Sequence, residues 1–143
     1  MNTIVVYTVL VGDYDFIMSP TYLESDIDYI IFTDQKNLNV KGWKIKSIKP
    51  EYLALGPSKL NRFYKIHPHL FLPDYNVSLY IDSNIRVIKK IKPFIKDFLD
   101  SKSIIGLIKH PDRSTVLSEI SACFNEGKVK SLIELNKEYS IVE

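Results

Sequence analysis

Asp82-Ser83-Asn84 follows the apolar run Val77 to Ile81, so a carboxylate and an amide oxygen stand two residues apart at the end of an expected strand. Strand alternation turns residues i and i+2 to the same side, which aims both oxygens at one ligand. Hard oxygen donors suit Mg²⁺ or Mn²⁺, ions commonly shared with a substrate diphosphate. The same residue types also build plain turns and helix caps, and the tripeptide alone leaves both readings open. Asp34, at the end of DYIIFTD, can accept hydrogen bonds from a base N–H or a ribose hydroxyl, or form an ordinary Asx turn.

Lys59, Arg62 and Lys65 recur every three residues and so lie within about 120° of one another on a helix. Such a wall can face phosphates, with Arg taking two oxygens at once, or it can be the wet side of the helix. His69 and His110 each adjoin a proline, with Arg113 and Glu119 further on, and none has the spacing of a zinc site or a nucleophile elbow. The chain has no GxGxxG and no P-loop.

These residues need elements to position them. Ile4 to Val11 and Asp28 to Thr33 are unbroken apolar runs, suited to strands covered on both faces. Trp43 to Ile48 alternates, as a more exposed strand does. Pro57 fits the first turn of a helix whose inner face is Leu60, Phe63, Tyr64 and His67, and Pro68 ends it. Pro93 opens a short helix with Phe94, Ile95, Phe98 and Leu99 inward, and Ser103 to Ile108 is a further expected strand. Two helices close the chain, at about 115–125 and about 128–139, broken near Gly127. Alternating strands and helices predict an α/β fold, a mostly parallel sheet with helices on both sides. In such sheets ligands bind outside the carboxyl ends of the strands. The turns Gly12-Asp13-Tyr14, Asp34 and Asp82-Ser83-Asn84 then share one rim.

At 143 residues the chain is expected to be one domain. Its formal charge of +2 gives no argument for nucleic acid or for an anionic membrane surface. Arg86, Lys89, Lys90, Lys92 and Lys96 form a local basic cluster of the kind that usually marks a solvated face. A single cysteine, Cys123, excludes an intrachain disulfide. No apolar run nears the ~20 residues of a membrane span, and the expected location is the cytoplasm.

In order and spacing, VVYTVLVGDYD, DYIIFTD, a Trp-containing strand, RFYKIHPH, DYNVSLYIDSNIRV and KHPDRSTVLSE resemble a glycosyltransferase-like family. It includes plant proteins of pectin and mucilage synthesis and many bacterial proteins, and is similar to transferases of the GT-A fold. The resemblance covers nearly the whole chain. It implies a nucleoside diphosphate sugar as donor, a uridine one favoured, and a glycan or other hydroxyl acceptor. Thr8, Gly12 and Tyr14 would line the nucleotide pocket, and Asp34 would face the base or ribose. Arg62 and Lys65 would neutralise the diphosphate, while His69 belongs to the family's Pro-His element. Asp82 and Asn84 stand where GT-A enzymes place the Asp-x-Asp that holds Mn²⁺ or Mg²⁺, with Asn replacing the second Asp. His110, Arg113 and Glu119 match a segment near the transferred sugar, and Glu119 is the candidate base.

GT-A domains continue into an acceptor-binding part, which is expected to be missing here. Val129, Leu132, Ile133 and Leu135 form an apolar stripe that a second copy can cover, so a homodimer is a further expectation. Two rivals stand beside the transferase. One is a phosphohydrolase or phosphotransferase with Asp82 as nucleophile; the other is a non-catalytic nucleotide-sugar-binding module.

Overall fold

Two buried runs form the centre of the sheet. Ile4–Leu10 (β1) and Ile27–Thr33 (β2) pair in parallel, from Ile4 opposite Ile27 to Leu10 opposite Thr33. Lys44–Ser47 (β3) joins the outer side of β2, and Val77–Tyr80 (β4) joins the other side of β1, giving the order β3-β2-β1-β4, all parallel. All four residues of β3 are exposed, as an edge strand's alternating sequence allows, while Trp43 and Ile48 on either side of it are buried. The structure, a computed structural model, describes residues 3–13, 15–109, 112, 114–125 and 127. Within these the chain forms two compact units, divided between Asp100 and Ser101.

Parity along β1 separates two cores in the first unit. Val5, Tyr7, Val9 and Val11 face one side, with Ile30, Phe32, Leu60 and Tyr64. Val6 and Leu10 face the other, with Tyr29, Ile31, Trp43 and Val87. Each fully buried branched side chain contributes about 1.5–3 kcal/mol, which is why both faces must be covered. A 3-10 helix over Pro50–Leu55, helix α1 (Pro57–Ile66) and the four-residue α2 (Pro68–Phe71) cover the first face. Leu60 and Tyr64 of α1 are buried and Phe63 is half-buried, while Lys59, Arg62 and Lys65 are exposed, as the helical periodicity predicts. Irregular segments 15–26 and 83–91 run along the second face and lead into α3 (Lys92–Asp100). Glu24 ends this path by accepting the backbone N–H groups of Ile91, at 2.6 Å, and Lys92, at 3.3 Å, at the start of α3.

In the second unit α4 (Val116–Asn125) begins where Thr115 and Ser118 exchange side-chain and backbone hydrogen bonds, at 3.1 and 3.3 Å, a capping box. Gly127 follows it with φ +69°, the left-handed backbone at which helices commonly stop.

Two sequence expectations are corrected. Residues 103–108 are irregular rather than a strand, and Ile104 and Leu107 are 101% and 89% exposed. Apolar composition favours a strand, but only a neighbour's ladder hydrogen bonds make one. In α3 only Ile95 is buried; Phe94 and Leu99 are exposed, because a nine-residue helix at the surface turns one narrow stripe inward. Tyr14, His110, Arg113 and the expected helix at 128–139 lie outside the described residues, as does the side chain of Glu119 in α4. No helix among the described residues is long and apolar enough to cross a membrane.

Candidate functional site

The strand order places a topological switch between β1 and β4: from β1 the chain steps to β2 and β3 on one side, then returns to β4 on the other. Connections on the two sides diverge there, which leaves a crevice outside the carboxyl ends of the strands. The turns after β1, β2 and β4 do meet at this rim. The Gly12 N–H donates to both Asp34 carboxylate oxygens, at 3.0 and 3.2 Å, and the Gln35 side-chain amide donates to the Gly12 carbonyl at 2.8 Å. Gly12 has φ +67°, a conformation that costs an L residue about 1–2 kcal/mol, and the three bonds with Asp34 and Gln35, just after β2, hold it there. Asp34 therefore shapes the turn, with lone pairs left over for a ligand.

Between β1 and β4 the link is Ser83. It is 3% exposed, and its hydroxyl donates to Asp15 Oδ2 at 2.5 Å, while its carbonyl accepts the Met18 N–H at 3.1 Å. The ladder from β4 ends as the Ile81 N–H meets the Tyr7 carbonyl at 3.1 Å, and an Ile85 N–H to Asp82 carbonyl bond of 2.9 Å closes a turn over 82–85. Asp82 and Asn84 are both exposed around the buried Ser83, but a turn rather than strand alternation sets their directions.

Lys65 brings positive charge to the same place. Its carbonyl accepts the Tyr7 hydroxyl at 2.8 Å, which ties the last turn of α1 to β1. Its ammonium lies 4.4 Å from the centre of the Tyr80 ring and 3.5 Å from Asp82 Oδ1. Cation–π and ion-pair contacts thus hold one cation at the edge, with both charged groups about half exposed to incoming ligand. Asn61 braces this arrangement, donating to the Val9 carbonyl at 3.3 Å and accepting the Tyr80 hydroxyl at 3.3 Å. Burial pushes the Tyr7 phenol up to about 12 and raises the Tyr80 phenol, with the Asp82 carboxylate adding to the second effect. Both remain hydrogen-bond donors at neutral pH.

Thr8 and His69 lie elsewhere, while Arg62 stands one helical turn before Lys65 on α1. Thr8 is fully buried in mid-strand on the face of Val6 and Leu10, and its hydroxyl has no hydrogen-bond partner among the described residues. His69 is exposed on α2 with its ring 5.9 Å from that of His67, and Arg62 is exposed on α1. Sequence reasoning missed Asp15, Asn61 and Tyr80 as members of the site. An Asn inside a helix, where its side chain competes with the backbone, is the one available signal. A resident metal does not fit what is described: Asp82 and Asn84 offer one carboxylate and one amide, and that carboxylate faces the Lys65 ammonium. No group of three or more His, Cys, Asp or Glu stands together among the described residues. Compared with protein-family models, curated proteins and solved structures, the chain matches none.

Proposed function

We propose that the first unit binds a nucleoside diphosphate sugar at the rim between β1 and β4 and serves transfer of its glycosyl group to a hydroxyl acceptor. One observation carries the reading: an ammonium, Lys65, held by the Tyr80 ring and Asp82 at the switch point of a parallel sheet. Crevices of this kind take nucleotides, and the order of motifs along the chain supports a transferase. In the reaction the bond from the anomeric carbon to the diphosphate oxygen breaks as a bond to the acceptor oxygen forms, and the acceptor proton passes to a base. Negative charge grows on the leaving diphosphate. Lys65, with Arg62 from the exposed side of α1, meets that charge without having to reorganise, which is where electrostatic stabilisation contributes most. Gly12 and Asp34 present backbone and carboxylate groups to the nucleoside end.

Thermal shift and calorimetry with nucleoside diphosphates and their sugars test this. A ligand at ~100 times its Kd stabilises by about 2.7 kcal/mol. The response is expected to persist in EDTA, since Lys65 supplies the charge, and to weaken in Lys65→Met with the fold intact. A response that needs Mn²⁺ would return the charge role to Asp82 and Asn84. No response to any nucleotide ends the proposal.

A further inference from the structure

Next to the rim, two segments that run together carry a surface of mixed character. Residues 16–23 and 83–91 are joined by the Met18 N–H to the Ser83 carbonyl at 3.1 Å, and by the Thr21 and Tyr22 N–H groups to the Val87 carbonyl at 2.9 and 3.3 Å. Val87 is buried, and Ile17 and Ile91 pack against the same core. These three anchors turn the intervening side chains to water. Phe16, Leu23, Ile85 and Ile88 are 59%, 47%, 48% and 61% exposed. Arg86, Lys89 and Lys90, interleaved with Ile85 and Ile88 along the chain, are exposed and form no ion pair among the described residues.

Two cations beside this patch already have ion-pair partners. Lys92 pairs with Asp26 and Lys96 with Asp100. Asp15 accepts the Ser83 hydroxyl, and Glu24 caps the start of α3. What remains is three cations with no ion pair among the described residues, on segments that also carry exposed apolar side chains. The net charge of the whole chain conceals this; only the pairing reveals it.

We propose that this surface docks onto an anionic lipid bilayer. Its apolar side chains enter the boundary between headgroups and acyl chains, and Arg86, Lys89 and Lys90 meet the lipid phosphates. An apolar protein partner would desolvate the cations, and charged groups are depleted from the cores of protein interfaces. A second copy docked patch to patch would oppose like charges. Nucleic acid gives aliphatic isoleucines nothing to bury against. A bilayer interface offers both environments at once. The inference does not rest on the proposed function.

Pelleting with sucrose-loaded vesicles tests it, using phosphatidylcholine alone and a phosphatidylcholine–phosphatidylglycerol mixture. The protein should pellet with the mixture, far less with phosphatidylcholine, and weakly in ~1 M salt, where the screening length falls to about 3 Å. Lys89→Gln with Lys90→Gln should weaken partitioning about 30-fold, roughly fivefold for each lysine. Ile85→Ser with Ile88→Ser should weaken it with the salt dependence retained; all four positions are exposed, and circular dichroism checks the fold. Equal pelleting with and without vesicles overturns the proposal, as does unchanged binding in both variants. So does retention by duplex DNA without vesicle binding, or a dimer that the isoleucine variants abolish while vesicles go unbound.

Discussion

Replacing Ser83 with alanine tests the joint between two loops of the rim. The Ser83 hydroxyl is 2.5 Å from Asp15 Oδ2, on a residue that is 3% exposed. A hydrogen bond to a charged acceptor contributes about 1.5–3 kcal/mol net. Asp15 is exposed, so its carboxylate regains water when the hydroxyl is removed, which sets the expected loss at the lower end, about 1.5 kcal/mol. Asp15→Ala loses that bond and also the one its Oδ1 accepts from the Phe16 N–H at 2.9 Å, so it should cost slightly more. The two changes are not additive: once one partner is gone, losing the other removes nothing further from the pair. Urea unfolding of wild type, both single variants and the double variant closes the cycle, with an expected coupling near ~1 kcal/mol. Hydrogen exchange adds a local readout, since the Met18 amide donates to the Ser83 carbonyl and should exchange faster in Ser83→Ala. A coupling below about 0.5 kcal/mol, or an unchanged Met18 amide, would refute the view that Ser83 joins these loops.

Lys44 above all, together with the Tyr75 hydroxyl, holds the Asp28 carboxyl below its ordinary value of 3.8. The folded value lies below the unfolded one, so this stabilisation is complete above the ordinary value and is lost as pH falls through the folded one; stability measured from ~pH 5 downward should fall less steeply in Asp28→Asn. Gly42→Ala should cost more than Gly12→Ala in thermal unfolding. Both have positive φ, but a Cβ at 42 would lie 2.8 Å from Pro20 Cγ, whereas at 12 the nearest atom is 3.7 Å away. Arg62→Ala should change stability by less than ~0.5 kcal/mol, being off the buried face of α1, while weakening nucleotide diphosphate binding measured by calorimetry.

Much of the fold was legible in local pattern. Unbroken apolar runs announced β1 and β2, and the spacing of Leu60, Phe63 and Tyr64 assigned the inner face of α1, because burial imposes a period of two or 3.6 on any chain that folds. The polar residues closing those strands, Gly12, Asp34 and Asp82-Ser83-Asn84, were legible as a shared rim because parallel strands bring their carboxyl ends to one edge. What each residue does there was not. Ser83 meets Asp15 across 68 positions, Tyr80 meets Asn61 across 19, and Lys65 meets Asp82 across 17. Such pairings follow from strand order and register, which no local period encodes. The irregular course of 103–108 has the same origin: composition grants a strand its side chains, but only the tertiary structure provides the neighbour whose hydrogen bonds make it one.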